Sequence, residues 1–158
     1  MKYVISGLEP ASFAQLSGLG DDALRAVSAK RVMADAKPGY PCRVSLEDAE
    51  VGETLILLPF AHHDADSPYS ASGPIFIREA ALERAQYDNE LPEQLRIRLL
   101  SIRAYDAQGD MVDADVVEGA VADPVVRRFL ERAEVAFLHV HFARRGCYAA
   151  RIERASGN

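Results

Sequence analysis

Apolar and polar positions alternate most clearly in the second half of the chain. From Arg98 to Tyr105, Leu100, Ile102 and Ala104 alternate with Ser101, Arg103 and Tyr105, and Asp110 to Val117 repeats the pattern after Ala107-Gln108-Gly109. Period two marks strands with one buried face. A three-residue loop ending in Gly, which adopts the left-handed backbone at little cost, joins such strands as a hairpin. The register this loop sets puts Leu100, Ile102 and Ala104 against Val112, Ala114 and Val116 on one face. Ser101, Arg103 and Tyr105 then meet Met111, Asp113 and Asp115 on the other, with Arg103 directly opposite Asp113 as a cross-strand ion pair. A second hairpin follows, Val135 to Ala143 and Cys147 to Glu153, around Arg144-Arg145-Gly146. Here Leu138, Val140 and Phe142 share a core face with Tyr148, Ala150 and Ile152, which leaves His139, His141, Cys147 and Arg151 on the opposite face. Between the hairpins, Asp123 as N-cap and Pro124 at the first helical position predict a helix to about Ala133, with Val125, Phe129 and Leu130 inward.

The first half is less regular. Met1 to Gly7 reads as a first strand. Pro10 to Val27 reads as two short helices broken at Gly18 and Gly20, with Asp21 as N-cap and Leu24 inward. Arg31 to Ala34 and Cys42 to Val44 are short extended pieces around the turn Lys37 to Pro41, and Glu53 to Phe60 is a strongly apolar, central strand. His62 to Pro74 is expected to be a polar connection of thirteen residues, long enough to suggest a functional loop. Ile75 to Arg78 reads as a strand, Ala80 to Tyr87 as a short helix, and Pro92 opens a helical turn. The expected fold is α+β, an antiparallel β-sheet of about six or seven strands with short helices packed mainly on one face, in a single domain over residues 1–158.

Composition narrows the function classes. A net charge of −6 disfavours nucleic acid and anionic membrane, which reward a basic surface. No apolar run approaches the roughly 20 residues that span a bilayer. The N-terminal run lacks a cleavage site, so a soluble cytoplasmic protein is expected. Two cysteines, Cys42 and Cys147, are too few for a disulfide framework. Apart from Lys2, Lys30 and Lys37 the basic residues are all arginine, whose planar forks suit carboxylate or phosphate groups.

Several constellations could carry chemistry. His139 and His141, two apart on a strand, point to one side, and with Cys147, plus Cys42, His62 or His63, they form a mixed nitrogen and sulfur set that would suit zinc. The bland alternative is that these imidazoles simply bond neighbouring carbonyls or carboxylates. Cys147 with a nearby His and Asp113 makes a nucleophile triad in type, against a small structural residue in a tight hairpin. Tyr69, Ser72 and Gly73 in the polar connection, with Arg103 and Arg151, could hold a small anion through backbone N–H groups and guanidinium forks. No Walker loop or dinucleotide fingerprint is present.

Four strings are also familiar together: Pro38 to Leu46, Ser67-Pro68-Tyr69 with Ser72 to Phe76, Arg103 to Asp106, and His139-Val140-His141 with Arg145 to Arg151. Through them nearly the whole chain resembles the bacterial family called domain of unknown function 1203. The resemblance implies a small bacterial protein and carries no activity, cofactor or catalytic residue with it. Three functional readings follow. The first is a small-molecule anion-binding protein or undescribed enzyme with a His, Arg and Cys site on the polar sheet face and no expected cofactor. The second is a structural or interaction module, with that face solvated or covered by a second subunit as a homo-oligomer. The third is a zinc protein.

Overall fold

The computed structural model describes residues 1–157. Among the described residues, nine strands form two antiparallel sheets. The larger contains β1 (Tyr3–Ser6), β5 (Gln86–Asp88), β6 (Leu99–Tyr105), β7 (Met111–Glu118), β8 (Phe137–Phe142) and β9 (Tyr148–Arg154), in the order β5-β1-β9-β8-β6-β7. The smaller contains β2 (Lys30–Met33), β3 (Thr54–His63) and β4 (Ala71–Arg78), with β3 central. The α+β class and the six-stranded antiparallel sheet agree with the sequence pattern; the second sheet is additional. Among the described residues no helix is long and apolar enough to cross a membrane.

One face of the large sheet is the main core. Leu100, Ile102, Leu138, Val140 and Ile152 pack there against Val126, Phe129 and Leu130 of the helix α3 (Asp123–Leu130) and Leu95 of the helical turn α2 (Glu93–Arg96). Burying each such side chain contributes about 1.5–3 kcal/mol. Val126 fills the position expected of Val125, which is only partly buried. A second core joins Ile56, Ile75 and Ile77 of the small sheet to Phe13 and Leu16 of a 3-10 helix (Pro10–Leu16) and Leu24 of the helix α1 (Asp21–Ala26).

Asp123 does not cap α3. Its carboxylate accepts the Tyr3 hydroxyl at 2.6 Å and Arg127 at 2.7 Å, tying β1 to the helix. Burial and the bond to Asp123 push the Tyr3 hydroxyl pKa up. Tyr3→Phe is expected to lower stability by about 1.5–3 kcal/mol, the range for a hydrogen bond to a charged group; urea unfolding measures it.

Two bulges change the predicted faces. Tyr105 pairs with Met111 as the loop requires, with Gly109 at φ +86°, but Ala104 then pairs with Asp113, leaving Val112 as an extra residue. Arg103 therefore lies opposite Ala114, and the expected Arg103–Asp113 pair does not exist. Asp113 and Asp115 turn to the helix side, where Arg132 and Arg128 meet them at 2.5 and 2.6 Å. In the other hairpin Val140 pairs with Ala150 but His141 with Tyr148, leaving Ala149 extra. Tyr148 consequently joins the histidine face, contrary to its expected place in the main core.

The connection after β3 is also shorter than its composition suggested. β3 runs on to His63 and β4 begins at Ala71, so only residues 64–70 link them. Ladder bonds absorb the remaining polar residues, which lie on a strand with one open face. Ala80 to Tyr87 forms turns leading into β5 and no helix, because Ala85 N–H bonds Val44 and β5 pairs with β1.

Candidate functional site

Strand register arranges the second face of the large sheet in rows. Tyr105 lies beside Phe137; Arg103, His139 and Arg151 form the next row; Ser101, His141 and Tyr148 form the third. β3 covers these rows with His62 and His63. Consecutive residues of a regular strand face opposite ways, but the β3–β4 ladder is irregular between Phe60 and His63, and both rings meet the large sheet. The His62 ring stacks on Tyr148 at 5.4 Å and meets His141 edge-on at 5.0 Å. That of His63 lies 4.3 Å from Tyr105 and 5.4 Å from His139. All four histidines of the chain thus share one aromatic cluster.

Its hydrogen bonding is incomplete. His63 Nε2 donates to the Gly109 carbonyl at 2.7 Å and His141 Nδ1 to the Gly146 carbonyl at 2.9 Å. His62 Nδ1, His139 Nδ1 and His141 Nε2 are buried with no partner among the described residues. Buried polar groups are nearly always satisfied, so these three atoms are open to hydrogen bonds from water or a ligand.

Burial dominates the electrostatics. It pulls His139 down to about 2, helped by Arg151 and the other imidazoles, and His141 down to about 4, with the Gly146 carbonyl opposing and Arg103 and Arg43 assisting. His62 is lowered by burial and Arg103. Tyr148 is pushed up to about 12 by burial, against the pull of Arg151, Arg43 and Arg84. At neutral pH His139, His141 and Tyr148 are uncharged, with the Arg103 and Arg151 guanidinium groups beside them in the register. Arg103 bonds Ser101 at 3.3 Å, also bears on the Tyr105 hydroxyl, and has no carboxylate within ion-pair distance among the described residues. Arg151 lies over the Phe137 ring at 3.8 Å and pairs with Glu153 at 2.7 Å. A cleft of about 250 Å3 opens onto His62, His63, Asp64, His139, Arg151 and the Gly109 turn; Arg103, His141 and Tyr148 do not line it.

Of the residues singled out from sequence, His62, His139, His141, Arg103 and Arg151 come together. Cys147 does not: the Ala149 bulge carries it past His141 to the level of Phe142, where its Sγ contacts only the Arg145 carbonyl at 3.9 Å. Cys42 is buried in the other core, accepting the Arg78 N–H at 3.3 Å. The mixed nitrogen and sulfur set is therefore not assembled, and no group of three or more His, Cys, Asp or Glu among the described residues is arranged to hold a metal ion. Asp113 lies on the far face with Arg132, so no Cys, His and Asp triad forms. Ser72 and Gly73 lie on β4 beside a separate surface pocket with Arg25, Lys30 and Arg31, and Tyr69 is exposed in the 64–70 connection. Sequence reasoning missed Tyr148, placed on the wrong face by the bulge, and Arg43, a buried arginine bonded only to the carbonyls of Pro41 and Tyr148. Neither carries a sequence signal, since both depend on how the two sheets meet.

No curated protein and no solved structure matches the chain. Residues 39–154 match the family described as a protein of unknown function, DUF1203, and so cover every residue of the histidine cluster. The chain belongs to that family.

Proposed function

We propose that the cleft between the sheets binds a small anion at Arg151 and His139, with Arg103 behind them in the same row. The observation that carries this reading is Arg103, a partly buried guanidinium without a carboxylate, beside buried imidazole nitrogens without partners. Neutral imidazoles and a free arginine fork offer an anion hydrogen bonds and charge together. Burial accounts for most of the lowering of His139 and His141, and the arginines that add to it, Arg151 and Arg103, also oppose a divalent cation, which favours the anion over the zinc reading. A purely structural sheet contact would gain nothing from leaving three polar atoms unsatisfied, at about 1–3 kcal/mol each.

Calorimetric titration of phosphate, sulfate and acetate at low ionic strength tests the reading. At least one is expected to bind, and Arg103→Ala is expected to weaken it about ten- to a hundredfold, the range for a charged hydrogen bond, with the fold retained by circular dichroism. If none of the three binds, the reading is wrong. Stoichiometric metal in protein purified without tag or chelator would replace it with the zinc alternative.

A further inference from the structure

The cleft at the Gly109 turn is lined by opposite charges. Arg151 reaches it from β9 and Asp64 from the connection that leaves β3, and apart from the imidazoles these are the charged residues that line it. They do not pair with each other. Arg151 gives Nη2 to Glu153 in an exposed pair of little strength, while its Nε and Nη1 make no hydrogen bond among the described residues. Asp64 has no ion pair among them either. Both positions are held in place. The Arg151 guanidinium lies over the Phe137 ring, which stacks on Tyr105 at 5.3 Å. The chain on either side of Asp64 is pinned to the neighbouring turn: His63 Nε2 donates to the Gly109 carbonyl at 2.7 Å and Ser67 Oγ to Asp110 at 2.6 Å. Ala65 packs so closely on Gly109 that a Cβ there would stand 2.7 Å from its own.

Opposite charges that share a cleft without meeting leave room for a molecule that bears both. His62 and His139, which line the same cleft, are uncharged at neutral pH and neutralise neither. A plain anion would gain the Arg151 fork but would also sit near the Asp64 carboxylate, which repels it. An ammonium group on the same molecule turns that repulsion into attraction. The cleft of about 250 Å3 lies just under the roughly 300–1,000 Å3 of drug-sized pockets, so the molecule is a few carbons long. Resting on the anion reading above, we infer that the ligand is a small acid that also carries an ammonium group, in the class of short amino acids and aminoalkyl phosphates. Its acid group meets Arg151 and its ammonium group meets Asp64. Asp64 is on this account the residue that selects an aminated acid over the corresponding plain acid.

Matched pairs test this: alanine against propionate, γ-aminobutyrate against butyrate, and phosphoethanolamine against ethyl phosphate. Each is titrated calorimetrically at low ionic strength into the wild type, Asp64→Asn and Arg151→Met. The aminated member of at least one pair is expected to bind the wild type about tenfold more tightly, the low end for a hydrogen bond to a charged group. The pair that responds identifies the acid group and the spacing of the two charges. Asp64→Asn is expected to erase the preference by weakening the aminated member and strengthening the plain acid, opposite changes that a loss of fold does not produce. Arg151→Met, which keeps an apolar chain over Phe137, is expected to weaken both members. Equal affinities within every pair, or a preference that survives Asp64→Asn, would overturn the role of Asp64 and leave the anion reading standing where Arg151→Met weakens binding. Binding of inorganic phosphate or sulfate with none of the pairs would likewise overturn the inference alone. No binding by any of these anions would overturn both.

Discussion

Acidification from pH 6.5 to 4.5 is expected to remove several kcal/mol of stability. His139 and His141 have folded-state values near 2 and 4, below the ordinary 6.5, so the unfolded chain takes up protons that the folded one refuses. Stability is therefore fully present above about 6.5 and is lost as the pH falls, down to about 4 for His141 and further for His139. Each group contributes at most about 1.4 kcal/mol per pH unit. Two groups over two units set an upper limit of about 5 kcal/mol, a large part of the roughly 5–15 kcal/mol that holds a domain folded. Carboxylates such as Glu53, held down by Arg78, act mainly below their ordinary 4.5, which leaves this window to the histidines. Urea midpoints measured across it give the slope, and His141→Phe should flatten it. A level stability between pH 6.5 and 4.5 would mean that the imidazoles accept protons in the folded state and are not enclosed as described.

Gly119→Ala is expected to destabilise the protein by about 3 kcal/mol or more, at or beyond the upper end of overpacking. Gly119 begins the short 3-10 turn after β7, where its N–H bonds the Arg98 carbonyl at 2.8 Å. A Cβ at this position would stand 1.9 Å from the Leu95 carbonyl oxygen and 2.8 Å from that of Arg98. Both neighbours are backbone, so relief requires moving α2 away from the large sheet, together with the buried Leu95 and the Arg98–Asp48 pair at 2.6 Å. Gly73→Ala, with nothing within 4 Å of the added carbon, serves as the control, and thermal melts of the two proteins measure the difference. Comparable stability of both variants would show that the α2 contact is looser than drawn.

Hydrophobic periodicity carried much of the fold. The two hairpins, their glycine turns and the helix between them were legible because period two and a turn glycine are local properties. Leu24 and the pair of short helices around Gly18 and Gly20 were legible for the same reason. Facing was harder: Asp113, Asp115, Tyr148 and Cys147 lie elsewhere than alternation implies, because one extra residue in a ladder re-aims its neighbours and leaves no mark in composition. The site was half legible. His139 and His141 were placed together by spacing alone, and Arg103 and Arg151 by register. The way His62 and His63 cover them from another sheet is a tertiary fact that nothing near those residues encodes, and the polar run after Phe60 resembled a loop because its strand is open on one side.

Val112 and Ala149 have a consequence for how this chain could change length. Each is the surplus member of a two-against-one pairing, so its loss would turn the bulge into regular ladder while Asp113, Tyr148 and their neighbours kept their directions. Loss of a residue one or two places away, inside the regular ladder, would reverse every side chain up to the next bulge. Within the large sheet these are the two sites where a single-residue gap is structurally silent. An alignment of relatives that places its gap elsewhere in either strand would exchange helix-facing residues for cleft-facing ones and misread which positions line the site.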